Sequence, residues 1–269
     1  MKIVIFHSGL GNQLFHFCYY LYLEKKYGKC IYGAFMGNEH NGYELEKYFD
    51  VRVKMPCFSL FLLKIVERLR NRFRLLSYLY VFEAEGNSIL KWSLFYKGDW
   101  QDKKYLNAGR SIRFKNFALS SANDAIKTKI QRCNSVAIHI RRGDYISAEC
   151  YNRYWHLEDT DYYQKAIEYV KSRFENYSIF VFSDDIEWCK ENLSLTDTFF
   201  IDWNKGNDSI YDMYLMSLAK VNVIANSTFS FWAAYLNRRS ELTIYPLRWY
   251  QKGSGLRNPD IFPDEWIGL

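Results

Sequence analysis

The sequence predicts an α/β protein built as two units with a cleft between them. Three observations predict it. Strand-to-helix alternation begins at residue 2 and begins again near residue 135. The first alternation opens as strand, loop, helix and strand, the start of an open parallel sheet. A length of 269 residues suits two compact halves better than one small domain. The expected division is 1–121 and 122–269, with a basic helical insertion in the first part at about 56–82.

Residues 2–7 read as a buried strand and Gly9-Leu10-Gly11-Asn12 as a turn. Residues 12–27 place Leu14, Phe15, Cys18, Tyr19, Leu21, Tyr22 and Leu23 at near-helical spacing, and Gly28 stops the helix. Residues 29–35 form the second strand. The run from Pro56 to Leu63 is apolar and leads into 64–76, where Lys64, Arg68, Arg70, Arg72 and Arg74 face only Glu67. This reads as a basic amphipathic helix. It suits contact with an anionic membrane surface or a lipid-linked substrate through 56–76, or a solvated helix face. After a polar stretch, residues 123–133 are helical. Strands are expected at 136–140, 179–182, 198–201, 221–225 and 242–245, and helices at 161–175, 186–193, 209–219 and 230–237. No repeat of roughly 20–50 residues is visible.

Composition excludes several classes. A net charge of +6 is mildly basic and suits a phosphate-bearing partner. The pI of 8.8 falls short of a nucleic-acid-binding domain, so no nucleic-acid partner is expected. The six cysteines have no CxxC spacing and no clustered histidines, so no metal site is expected. The N-terminal apolar run is too short for a signal peptide, and no run approaches the roughly 18 apolar residues of a membrane span. A cytoplasmic protein, with peripheral contact at the inner face of the membrane as an option, is the expectation.

In open α/β sheets, ligands gather at the carboxyl ends of strands. That rule selects four loops. The strand Val136-Ala137-Ile138-His139-Ile140 ends in Arg141-Arg142-Gly143-Asp144. A guanidinium there can pair with two phosphate oxygens at once. It also stabilises charge that grows on a departing nucleoside diphosphate. If the strand persists, Arg141 and Arg142 face opposite ways, one toward ligand and one toward a structural partner such as Asp144. The stretch Asn226-Ser227-Thr228-Phe229-Ser230 opens a helix with small hydroxyl residues and free backbone N–H groups, an anion site or an ordinary cap. The turn at Gly9 and Gly11 has Leu14 where a dinucleotide fingerprint carries its third glycine, which disfavours a nicotinamide enzyme. Asn12 and Gln13 offer amide donors to a sugar or phosphate. Asp184 and Asp185 are adjacent rather than spaced as DxD, so nucleoside contact or helix capping is at least as good a reading as a metal-bound diphosphate.

Taken together, Gly9-Leu10-Gly11-Asn12-Gln13-Leu14-Phe15, His139-Ile140-Arg141-Arg142-Gly143-Asp144-Tyr145, Phe182-Ser183-Asp184-Asp185 and Ala225 through Ala234 resemble the α-1,2-fucosyltransferases of glycosyltransferase family 11, bacterial type. The resemblance spans nearly the whole chain, and residues 55–95 lie outside it. It implies a GT-B-like fold of two Rossmann-like domains facing a central cleft, the N-terminal one on the acceptor side. GDP-fucose would bind mainly to the C-terminal one. The implied reaction is inverting transfer of fucose to the 2-hydroxyl of a terminal galactose, on an oligosaccharide or lipid-linked glycan, with no metal and no cofactor. Donor contacts would come from Gly9, Gly11, Asn12, His139, Arg141, Asp184, Asp185, Asn226, Ser227 and Thr228, with Arg141 on the diphosphate. A carboxylate would take the acceptor proton. Asp144 is one candidate, unless it orients an arginine. Glu149 is the other, at the spacing of the catalytic glutamate in the related α-1,6-fucosyltransferases. A transferase for other sugars and a non-catalytic glycan-binding protein are the alternatives.

Overall fold

A computed structural model describes residues 1–28, 30–36, 41–55, 65, 68–69, 79–83, 93–193 and 195–269. The chain divides into two compact units, Met1–Lys115 and Asn116–Leu269, six residues ahead of the sequence-based division.

Unit 1 carries a parallel sheet in the order β2-β1-β4-β3. Its strands are β1 (Lys2–Phe6), β2 (Ile31–Phe35), β3 (Tyr80–Phe82) and β4 (Phe95–Lys97). Every residue of β1 is buried, as expected of a parallel strand covered on both faces. Helix α1 (Leu10–Tyr27) follows it and ends at Gly28, whose positive φ of 79° is a conformation that glycine adopts without penalty. Short helices α2 (Leu45–Tyr48) and α3 (Lys103–Leu106) also belong to this unit.

Most of the expected insertion at 56–82 lies outside the described residues. Ile65, Arg68 and Leu69 within it are helical, as expected, whereas its last residues are strand: Tyr80, Val81 and Phe82 pair in parallel with Phe95, Tyr96 and Lys97. A β-branched residue between two aromatics favours the strand, and Tyr80 stacks on Phe95 with ring centres 4.6 Å apart. Strand β4 leaves no sign in the sequence either, because three residues are too few to show a period.

Unit 2 carries a second parallel sheet in the order β10-β9-β8-β5-β6-β7. Its strands are β5 (Asn134–Ile140), β6 (Tyr177–Ser183), β7 (Thr198–Ile201), β8 (Val221–Val223), β9 (Leu242–Tyr245) and β10 (Ile267–Gly268). Its helices are α4 (Ser121–Arg132), α5 (Tyr162–Lys171), α6 (Ile186–Asn192), α7 (Ser209–Met216) and α8 (Thr228–Tyr235). Ser120 caps α4 by accepting the Asn123 N–H, which sets the helix start. Val136, Ile138 and Ile140 of β5 pack with Ile179 and Val181 of β6 and with Tyr162, Ala166 and Val170 of α5. This core fixes the carboxyl ends of β5 and β6, and Ile140 pairs in register with Ser183.

One buried acid weakens this unit at neutral pH. Asp212 of α7 is buried and accepts a 2.7 Å hydrogen bond from Asn204. Burial raises its pKa from 3.8 to about 8, against the pull of that bond. Between those two values the native state holds a proton that the unfolded chain has lost, so stability falls as pH rises across that window. Asp212→Asn keeps the Asn204 bond without the charge. Its melting temperature should exceed that of the wild type at pH 7.5, and the two should converge near pH 4. Parallel melting curves at every pH would contradict this.

Candidate functional site

The strand order of unit 2 marks where a ligand belongs. From β5 the chain runs through β6 and β7 to one side of the sheet, then through β8, β9 and β10 to the other. The crevice between β5 and β8 is therefore the topological switch point, where doubly wound sheets bind ligands. Three loops meet around it: 141–145 after β5, 184–185 after β6 on the far side of β5, and 224–228 after β8.

Strand β5 ends at Ile140, so the two arginines are not governed by strand alternation. They separate through their partners instead. Arg141 pairs with Asp144 (Nη2 to Oδ1, 2.7 Å) and with Asp184 (Nη1 to Oδ2, 2.9 Å). Burial works against its charge, but Asp184 and then Asp144 more than offset this, so its pKa lies above the ordinary arginine value. Arg142 pairs with Asp185, lies 4.0 Å from Glu158 and stacks over Trp188 with its guanidinium 5.0 Å from the ring. Asp144 is thus the partner of Arg141, not of Arg142. Asp185 also caps α6, its side chain accepting the Trp188 N–H, so the capping reading of this pair holds for Asp185.

His139 is buried beside Phe229, ring centres 5.8 Å apart. Burial lowers its pKa; Asp184 raises it and Arg141 lowers it further, so the imidazole is neutral at pH 7. Its Nδ1 has no hydrogen-bond partner among the described residues. Tyr145 ties the first loop to the third by donating to the Asn226 carbonyl at 3.0 Å, and its ring stacks on Tyr154 at 3.8 Å. Asn226 is buried, and its amide nitrogen donates to the carbonyls of Trp155 (2.8 Å) and Trp249 (3.0 Å). In this arrangement the Asn226 amide nitrogen holds two neighbouring loops together. Ser227 caps α8 by accepting the Phe229 N–H, and Thr228 is half-buried at the first turn. Glu149 lies exposed in the turn after the Arg141 loop.

Gly9, Gly11 and Asn12 belong to unit 1, at its own switch point between β1 and β4. Gln101 from the loop after β4 donates to Asn12 Oδ1 at 3.4 Å. Ser8 and Trp100, one in each loop, have φ of 59° and 53°, conformations unusual for residues other than glycine. Gln13 is not available to a ligand. It is fully buried, donates to the carbonyls of Ser8 and Gly42, and accepts the Glu44 N–H. Sequence could not show this, because Gly42 and Glu44 reach it from beyond β2. His7, His16 and Asp99 bring three potential metal-ligand atoms within 4.8 Å of one another. However, His16 Nδ1 accepts the His7 backbone N–H at 3.4 Å, which leaves the ring proton on Nε2 and removes that nitrogen from ligation.

A family model described as glycosyl transferase family 11 matches residues 88–269. The chain belongs to glycosyl transferase family 11. It is therefore a glycosyltransferase, and the family assignment made from the four motifs holds. The chain is 34% identical to the α-1,2-colitosyltransferase of Escherichia coli across all of this chain and 99% of that one. It is also 34% identical to the O-antigen biosynthesis glycosyltransferase WbnK of Escherichia coli, over 53% of this chain and 47% of that one. The galactoside 2-α-L-fucosyltransferase SEC1 of Bos taurus is 31% identical over 50% of this chain and 38% of its own length. Among solved structures, NodZ α-1,6-fucosyltransferase soaked with GDP-fucose matches with a TM-score of 0.52 at 14% identity, covering 87% of this chain and 92% of that one. POFUT1 in complex with GDP matches with a TM-score of 0.51 at 14% identity, covering 91% and 98%. At that identity the likeness concerns the fold, which is the GT-B type expected of this family member. No helix among the described residues is long and apolar enough to cross a membrane.

Proposed function

We propose that this glycosyltransferase moves L-fucose from GDP-fucose to the 2-hydroxyl of a terminal galactose, or a similar hexose, with inversion at the anomeric carbon. The observation that carries this reading is Arg141 at the β5/β8 switch point, beside a helix that opens with Ser227 and Thr228. Arg141 grips the diphosphate and stabilises the charge that grows as it departs. Ser227, Thr228 and the N–H groups of α8 take further phosphate oxygens. His139, Asp184 and Asp185 lie toward the nucleoside. The Arg141–Asp144 ion pair engages Asp144 with the arginine, while Glu149, exposed, is the stronger candidate for the base. Transfer proceeds without metal or cofactor, in the cytoplasm, on an oligosaccharide or a lipid-linked glycan.

A second reading replaces fucosyl with colitosyl. It is favoured by full-length identity to the α-1,2-colitosyltransferase, against half-length identity to the galactoside fucosyltransferase. The test offers each nucleotide-linked sugar with a galactose-terminated acceptor in EDTA and reads product by mass spectrometry. Fucosylated product at an undiminished rate is the expected result. Product from nucleotide-linked colitose alone supports the second reading. Dependence on added Mg²⁺ or Mn²⁺ contradicts the metal-free mechanism, and absence of any transfer contradicts both donors.

A further inference from the structure

The two carboxylates on Arg141 are not equivalent, and the difference divides their work. We propose that Asp184 is the fixed anchor of Arg141, that Gly143 is glycine in order to admit it, and that Asp144 is an exchangeable partner which yields to the donor's diphosphate. The last part rests on the donor reading above; the first two do not.

Asp184 is held from several sides. Its Oδ2 accepts from Arg141 Nη1 at 2.9 Å, and its Oδ1 accepts the backbone N–H of Arg142 at 2.9 Å. One carboxylate thus bridges the guanidinium and the backbone of consecutive residues, fixing the start of the loop and the side chain together. It follows directly on Ser183, which is paired in register with Ile140, so the sheet itself sets its place. Its side chain is 25% exposed.

Asp144 pairs with Arg141 through one oxygen, stands in a single 3₁₀ turn (Asp144–Ile146) and is 48% exposed. A short side chain on such a turn can swing into solvent at little cost.

Gly143 explains how Asp184 comes so close. A Cβ built at this residue would lie 2.6 Å from Asp184 Oδ2 and 3.0 Å from its Cγ. Both carboxylate oxygens are already committed, so it is Asp184 that any larger residue at 143 displaces. The glycine is required here by space, not by a left-handed backbone.

Charge decides which carboxylate yields. Arg141 with Asp144 and Asp184 carries one net negative charge, a poor host for a diphosphate. The guanidinium has five N–H donors, two of them committed to these carboxylates. Releasing the exposed, singly held Asp144 frees one more donor and removes the excess charge. Releasing Asp184 would also break the loop's backbone bond. The anchor therefore stays, and Arg141 meets the diphosphate in one orientation.

The experiment uses the full-length ¹⁵N-labelled protein, with the Arg141 guanidinium signals identified by their loss in Arg141→Lys. In the wild type the Arg141 Nη signals should be resolved, because two ion pairs slow rotation about the guanidinium bond. Asp184→Asn and, independently, Gly143→Ala should average them. For both variants kcat should fall about 10²-fold, the scale of a misplacement near 1 Å, with a smaller change in KM for GDP-fucose. Asp144→Asn should leave the signal from the Asp184-bound nitrogen slow and should bind GDP several-fold more tightly. Unchanged Arg141 signals in both Asp184→Asn and Gly143→Ala would overturn the anchor. Weaker GDP binding by Asp144→Asn would overturn the exchange. If the wild type does not use GDP-fucose, the donor reading fails, while the guanidinium signals still decide the anchor.

Discussion

Arg141→Ala should reduce kcat by about 10²–10³, the effect of removing one fixed donor from a developing oxyanion, or about 3–4 kcal/mol. The reason is positional as well as electrostatic. Arg141 stands at the end of a strand buried along nearly its whole length, at the point where strand order reverses, and two carboxylates hold its plane. Its loss also leaves Asp144 and Asp184 with no cation between them, so the site turns from a receptor for phosphate into a repellent one. Arg141→Lys keeps the charge but not the fork. It should recover part of the rate and leave KM for the donor raised. Steady-state rates with GDP-fucose and a galactose acceptor, with GDP affinity measured alongside, separate the two effects. An alanine variant within threefold of the wild-type rate would remove Arg141 from the mechanism.

Trp232→Ala should destabilise unit 2 by about 3–5 kcal/mol, the usual cost of emptying a buried aromatic site. Trp232 is fully buried in α8, edge-on to Phe231 (5.6 Å) and Tyr235 (5.3 Å). Against a total stability of about 5–15 kcal/mol, such a loss is severe. The same helix presents Ser227 and Thr228 at its other end, so activity should fall as the helix loosens. Urea unfolding followed by far-UV circular dichroism reads the first effect. A shift of less than about 1 kcal/mol would show that the cavity collapses, and would remove the link between this core residue and the phosphate loop.

These two residues also show how differently the motifs could be read. Arg141 stood out in the sequence because a pair of arginines directly follows an apolar strand, where open α/β sheets gather ligands. The run from Asn226 to Ala234 was legible as a unit but not in its parts. Ser227 is a helix cap, Asn226 a brace between the loops at Trp155 and Trp249, and Phe231, Trp232, Ala233 and Ala234 are core. Gln13 was misread for a similar reason. An amide beside a glycine turn looks available to a ligand until Gly42 and Glu44 close over it.

The sequence by itself determined the α/β class, most of the strands and helices of unit 2, the loops that gather at strand ends and the family. Those follow from local apolar period and from short motifs whose residue types have few alternative uses. Tertiary structure alone decided the pairing of Arg141 with Asp144 and Asp184, of Arg142 with Asp185, the reason for Gly143, and the strands at Tyr80–Phe82 and Phe95–Lys97. Each depends on groups brought together by strand order. Asp184 lies 43 positions beyond Arg141 in the chain, yet β5 and β6 are hydrogen-bonded neighbours in one sheet. A carboxylate so distant in sequence has no local signature, and only parallel register brings it within 2.9 Å of its arginine.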